Sequence, residues 1–273
     1  NGTFSDITSD AGFATTALVA AVAIAPTDYD NRRDIDVLVA GGGRPVALFR
    51  NMRDGTFKES AADAGLVVPG DASARAVAGV HKDGYPDAFF GRRQGSALLA
   101  LSDGKGRFAM APAPGGTGAA VAAQFVDYDN DGLLDLLTMS KEGLQLARNV
   151  GPGRWTDVTR AAGLAEVAGG GTDAFHALAL GDLDNDGDTD VAIRTDAGRL
   201  RLLRNDGDAS HAALRVMLTA RVSNRSAVGA KVEIRAGSLR QVLEVSSSSP
   251  AIAPSYTAFG LGPRTSADVV RVL

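Results

Sequence analysis

Short, largely apolar runs bounded by glycine and acidic turns recur along most of the chain. Residues 135–139 and 190–194 are two such runs, each too short for a typical helix, and their length and flanking turns predict β-strands. From residue 212 onward, apolar and polar positions alternate, which predicts further strands at 214–218, 230–235, 240–245 and 267–273. The pattern therefore predicts an all-β protein.

A nine-residue acidic pattern stands in front of these runs. It reads Asp182-Leu183-Asp184-Asn185-Asp186-Gly187-Asp188-Thr189-Asp190, and recurs as Asp127-Tyr128-Asp129-Asn130-Asp131-Gly132-Leu133-Leu134-Asp135. A third copy starts at Asp28, with Arg32 and Arg33 where an acid and glycine are expected, and a degenerate copy starts at Gly79. The starts are spaced by roughly 50 residues, a period typical of repeat folds.

Alternate carboxylates around a sharp turn are the arrangement by which a short loop surrounds a hard cation, and calcium accepts such a flexible oxygen shell. The predicted calcium ligands are the carboxylates of each turn with a main-chain carbonyl at position 7: Asp127, Asp129, Asp131, Leu133, Asp135; Asp182, Asp184, Asp186, Asp188, Asp190; Asp28, Asp30, Asp34, Asp36. An EF-hand is excluded because Thr138 and Ile193 stand where it needs glutamate, and strands follow the turns. The degenerate copy, with Asp83 and Asp87, is predicted to hold no metal.

Each repeat can be divided into four short strands, the number in a β-propeller blade. In the third repeat they are residues 119–126, 134–140, 144–149 and 154–159, and the first strand of each repeat, such as 18–23, is rich in small apolar residues. The fourth repeat offers 174–181, 189–195 and 200–205 but no fourth strand. Residues 4–8 are predicted to close a four-bladed ring as that missing strand. The alternative is that the chain is an excerpt of a larger ring.

The acidic pattern stops after residue 208, so we predict a propeller over residues 1–208 and a small β domain over 209–273. A serine run at 246–249, followed by Pro250, predicts a loop inside the second domain.

Composition and net charge argue against several classes of partner and of site. The 273-residue chain has a net charge of −4 and 5% aromatic residues, which argues against a nucleic-acid partner. It has no cysteine, and its apolar run at residues 18–24 is too short to span a membrane. Calcium turns of a structural kind favour a secreted, cell-surface or periplasmic location.

The acidic turns, the recurrent Arg-Asn pairs and the Gly-x-Phe strands resemble FG-GAP/VCBS repeats, which are integrin-like β-propeller blades that carry calcium. The Arg-Asn pairs are Arg50-Asn51, Arg148-Asn149 and Arg204-Asn205. Residues 223–232, 259–262 and 267–272 are similar to the ASPIC/UnbV domain of cartilage-acidic-protein-like sequences. The tail lacks the Trp-Pro pair that often ends this domain type. The resemblance implies fold and metal more strongly than biological role.

These observations predict a non-enzymatic, calcium-binding adhesion or scaffold module whose partner is a protein or glycan. The alternative is a calcium-dependent glycan-active enzyme, a lyase or hydrolase. An enzyme would concentrate a base beside a cleft, whereas here the acids are distributed over repeated turns, and no nucleophile-elbow motif is present.

Overall fold

The computed structural model describes residues 2–13, 23–40, 43–69, 72–117, 119–169, 174–207, 210–222, 224–245 and 256–273. Three predictions fall wholly or partly outside this part of the chain: the strand at 18–23, the loop at 246–250 and the domain boundary at 208–209. The described residues form twenty strands and one 3-10 turn, Leu164–Glu166. None of them forms a helix with the length and apolar character to cross a membrane.

The first twelve strands make three antiparallel four-stranded sheets, each in simple sequence order. The strands are β1 (Ala23–Thr27), β2 (Asp36–Ala40), β3 (Ala47–Asn51), β4 (Phe57–Glu59), β5 (Ala72–Ala78), β6 (Asp87–Arg92), β7 (Leu98–Ser102), β8 (Phe108–Pro112), β9 (Ala122–Val126), β10 (Asp135–Met139), β11 (Leu144–Asn149) and β12 (Trp155–Asp157). Each sheet corresponds to one sequence repeat. The four-strand division of the third repeat is confirmed, with a shorter last strand.

The fourth sheet has three strands, β13 (Phe175–Gly181), β14 (Asp190–Thr195) and β15 (Leu200–Leu203). The prediction that residues 4–8 complete it is wrong: they form no strand, and Phe4 is fully exposed. Within the described residues, no strand pairing joins the fourth sheet to the first.

The reason is the turn that follows residues 4–8. The N–H of Phe13 donates to the Thr8 carbonyl at 2.9 Å, as that of Leu66 donates to the Ala61 carbonyl after β4. This turn holds the Phe13 ring 4.7 Å from the rings of both Phe49 and Phe57. The N-terminal segment is therefore attached to the first sheet, and not to β15.

The remaining strands form two separate sheets. They are β16 (Ala212–Met217), β17 (Lys231–Ala236), β18 (Leu239–Glu244), β19 (Tyr256–Gly262) and β20 (Val269–Val272). β16 pairs with β19, and β17 lies between β18 and β20. Their inward residues, among them Val232, Ile234 and Phe259, form a core of their own.

The repeat sheets pack face to face in chain order. One apolar cluster joins the first and second sheets through Leu48 and Phe90, and the next joins the second and third through Phe89 and Leu136. Leu137, adjacent to Leu136, faces the fourth sheet instead. Successive side chains of a strand point to opposite faces, so a central sheet covered on both sides requires the continuous apolar runs seen in the sequence. This packing places all four turns in equivalent positions.

Candidate metal-binding turns

All four turns share one backbone conformation. Position 4 has a positive φ in each, at Asn31, Lys82, Asn130 and Asn185, and so does position 6, at Arg33, Gly84, Gly132 and Gly187. Glycine adopts this conformation at little cost, whereas Arg33 at φ 66° accepts a sterically disfavoured one. The first turn therefore keeps the geometry of its relatives despite its divergent sequence.

The position-9 aspartate ties each turn to the third strand of its own sheet. One Asp135 oxygen accepts the N–H of Tyr128 at 3.1 Å, and the other accepts the N–H of Asn149 at 2.8 Å. Asp36 and Asp87 accept the corresponding third-strand N–H, and Asp190 accepts that of Asn205, two residues after β15, at 2.8 Å each. Because Asp87 does this in a turn without acids at positions 1 and 3, this bond is structural and independent of metal.

Carboxylates at positions 1, 3 and 9 converge in the three acidic turns. The groups are Asp28, Asp30 and Asp36; Asp127, Asp129 and Asp135; and Asp182, Asp184 and Asp190, and the ligand atoms of each lie within 4.8 Å of one another. Like charges this close repel one another, and burial removes the water that would screen them. Convergence of this kind favours the binding of a cation, and most strongly where the carboxylates are also buried.

The effect of bringing carboxylates together in a buried turn is clearest at Asp127. Burial, reinforced by Asp131 and Asp129, raises the pKa of Asp127 to about 7, and burial raises that of Asp135 to about 8. One carboxylate oxygen each of Asp127 and Asp129, both Oδ1, is buried without a hydrogen-bond partner. Buried polar atoms are nearly always paired, so these oxygens are suited to bind a cation.

The other two acidic turns carry one such oxygen each. It is Oδ1 of Asp182 in the fourth sheet, and Oδ2 of Asp36 in the first. Burial also raises the pKa of Asp36 to about 7. All-oxygen carboxylate groups suit hard divalent cations such as calcium and magnesium.

The predicted ligands at positions 5 and 7 lie outside the three converging groups. Asp131 accepts the N–H of Leu133 and pairs with Arg148, while Asp186 accepts the N–H of Asp188 at 2.9 Å. The Asp188 side chain bonds to Asn130 of the neighbouring turn. In the first turn, Asp34 pairs with Arg53.

The recurrent Arg-Asn pairs are part of the same site. The arginine reaches the position-3 aspartate: Arg148 lies 2.6 Å from Asp129, Arg50 3.3 Å from Asp30 and Arg204 3.9 Å from Asp184. The asparagine side chains connect neighbouring turns. Those of Asn149 and Asn205 donate to the carbonyls of Val80 and Tyr128, at 3.2 and 2.7 Å. The recurrence of the Arg-Asn pairs was visible in the sequence, but the contacts that they make with the turns were not.

The degenerate second turn places a histidine between two of its aspartates. His81 lies 2.8 Å from Asp87 through Nδ1 and 3.2 Å from Asp83 through Nε2. The hydrogen bond to Asp87 is the main cause of the raised pKa of His81. A protonated imidazole here would offset the charge of Asp83 and Asp87, as Arg148 does for Asp129 in the third turn.

The C-terminal strands contact all three acidic turns, each at position 1. Lys231 lies 3.0 Å from Asp28, and the backbone N–H of Gly260 donates to Asp127 at 3.1 Å. Arg215 lies 2.6 Å from Asp182. Nothing in the local sequence marks these residues, because their partners are far away along the chain.

Two solved structures are similar to this chain at low sequence identity. A structure of an Agrocybe aegerita lectin that recognises non-reducing terminal N-acetylglucosamine is 23% identical over 66% of this chain and 51% of that chain, with a TM-score of 0.39. A Photorhabdus luminescens Tc holotoxin pore is 17% identical over 71% of this chain and 10% of that chain, with a TM-score of 0.38. The chain thus spans about half of the first structure and a tenth of the second.

No protein of curated function matches the sequence. The FG-GAP-like repeat family matches it over residues 80–138 and 127–193. These two overlapping segments contain the second turn except Gly79, the third and fourth turns, and the strands between them. Residues 80–193 therefore carry FG-GAP-like repeats.

Proposed function

We propose that this chain is a calcium-binding β-propeller module that acts outside the cell by binding a protein or glycan ligand, without catalysing a reaction. One observation carries the proposal: in the equivalent turns of three repeats, three carboxylates converge, and each group includes a buried oxygen that has no hydrogen-bond partner. A divalent cation would both neutralise these groups and complete their contacts.

The turns at Asp127 and Asp182 are the proposed calcium sites. Their carboxylates at positions 1, 3 and 9 would hold the ion, joined by those at position 5 and the position-7 carbonyls of Leu133 and Asp188. Calcium is favoured over magnesium because the donor set is rich in protein oxygens, whereas magnesium retains several waters. When bound, the ion would supply positive charge at the turn and rigidity between two strands.

A binding role is supported by the distribution of the acidic residues over three repeated turns, whereas an enzyme would concentrate a base beside a cleft. His81 is held between two aspartates, His176 lies 2.8 Å from Asp196, and His211 bonds to the Asp129 carbonyl at 2.6 Å. Each thus has a structural partner. The C-terminal strands are proposed to be the ASPIC/UnbV-like domain that the sequence resembles.

Calorimetric unfolding tests the metal proposal. We expect the melting temperature to fall when calcium is removed with excess chelator and to recover when calcium is restored, because ligands that bind only the folded state stabilise it. Magnesium at the same concentration should restore less. A melting temperature that is indifferent to chelation would remove the proposal.

A further inference from the structure

The first acidic turn differs from the other two at its position-1 carboxylate. Oδ1 of Asp28 accepts the N–H of Arg32 at 2.8 Å, and Oδ2 accepts that of Arg33 at 3.2 Å and lies 3.0 Å from the Lys231 ammonium. Both oxygens of Asp28 are therefore occupied, and the unpartnered oxygen of this turn belongs to Asp36 at position 9. In Asp127 and Asp182, by contrast, Oδ1 is buried without a partner.

The ammonium of Lys231 lies beside the first turn, where its positive charge can neutralise Asp28. Its ammonium donates to the side-chain oxygen of Asn31 at 2.9 Å as well as to Asp28, and the residue is 8% exposed. A buried lysine is stable only when its charge is paired and its protons are bonded. The turn provides both, with oxygens from positions 1 and 4.

The hairpin also brings a second carboxyl to this contact. Lys231 on β17 faces Glu244 on β18 in the strand register, and burial raises the pKa of Glu244 to about 7. The ammonium of Lys231 therefore lies between a residue of its own hairpin and the first turn. The first turn also has Arg32 at position 5, where a metal-binding turn needs an acid.

We propose that Lys231 is the resident cation of the first acidic turn, and that it fastens the β17–β18 hairpin to the first sheet in place of a metal ion. The Asp28 turn then binds no calcium, and calcium is confined to the turns at Asp127 and Asp182. The assignment of calcium to those two turns rests on the proposed function. The contact between Lys231 and Asp28 does not depend on it.

Native mass spectrometry of the full chain in calcium tests the assignment. We expect the wild type to bind two ions, Asp28→Asn to bind two, and Asp127→Asn to bind one. Three ions in the wild type, with the loss of one in Asp28→Asn, would overturn the assignment. No ions in the wild type would refute the proposed function and leave the lysine contact to a second measurement.

That measurement is a double-mutant cycle in chelator, with Asp28→Asn, Lys231→Met and the double variant compared by urea unfolding. Removing either partner leaves the other buried without its ion-pair partner, so we expect the shift in the urea midpoint of the double variant to be smaller than the summed shifts of the single variants. Additive shifts would show that Lys231 and Asp28 act independently and would overturn the inference, whatever the ion count.

Discussion

Replacing Asp127 with asparagine should have opposite effects on stability with and without calcium. The two side chains have nearly the same shape, and the asparagine oxygen can still accept the N–H groups of Gly132 and Gly260 that Oδ2 accepts. Only the charge and one buried acceptor are removed. The substitution therefore separates the electrostatic role of Asp127 from its structural one.

The magnitude follows from the raised pKa. Folding shifts the pKa of Asp127 from 3.8 to about 7, so the folded state holds its proton more tightly than the unfolded state does. Stability then falls as pH rises from the ordinary pKa to the folded one, at about 1.4 kcal/mol per pH unit. Above the folded pKa the ionised carboxylate costs up to about 4 kcal/mol when no cation is bound.

In chelator at pH 8, we therefore expect Asp127→Asn to be more stable than the wild type by up to about 4 kcal/mol. Calcium at a hundred times its dissociation constant stabilises the folded wild type by about 2.7 kcal/mol, and at a thousand times by about 4.1 kcal/mol. The variant lacks a ligand and loses this contribution, so the order should reverse once calcium exceeds about a thousand times the dissociation constant.

Urea unfolding at pH 8, with and without calcium, measures both effects. Asp103→Asn is the matched control, because Asp103 lies outside the acidic turns and the backbone N–H groups of Lys105 and Arg107 lower its pKa. It should respond equally in both buffers. Destabilisation of Asp127→Asn by the same amount with and without calcium would refute the electrostatic reasoning.

Three further changes test other parts of the fold. The aspartate partners of His81 in the second turn raise its pKa in the folded state. The stability that this contact contributes should be complete below pH 6.5, the ordinary pKa of histidine, and should be lost as pH rises through the raised pKa. In His81→Gln, the urea midpoint should depend less on pH over this range. Gly260→Ala would place a Cβ 2.1 Å from an oxygen of Asp127, so we expect a loss of about 1–3 kcal/mol in unfolding free energy. Gly115→Ala is the control: the added Cβ would have no neighbouring atom within 4 Å, and its effect should be near neutral. Phe49→Ala removes a fully buried ring and should cost about 3–5 kcal/mol in chemical denaturation; a cost below 1 kcal/mol would contradict the packing described.

Local features of the sequence were sufficient to predict the turns and the strands beside them. Asp135 and Asn149 lie in one repeat, 14 residues apart, and a short hairpin brings them together. The same reasoning failed for residues 4–8, which carry the pattern of an outer strand. Pairing depends on which sheet edge is within reach, and the turn that ends in Phe13 fixes this segment at the first sheet.

The C-terminal contacts could not be predicted for a related reason. Lys231 and Asp28 are 203 residues apart, and their meeting depends on how two sheets dock rather than on any local pattern. Arg215 likewise looks like an ordinary polar residue on an exposed strand face. Cations that neutralise the acidic turns therefore come partly from the fold itself, which the motif alone does not reveal.

The most direct test of the central claim is anomalous diffraction from crystals grown in calcium. The account predicts an anomalous peak in the turn at Asp127, with carboxylate oxygens of Asp127 and Asp129 about 2.3–2.6 Å from it, and an equivalent peak at Asp182. Carboxylates that point into solvent around an empty turn, in crystals saturated with calcium, would contradict it.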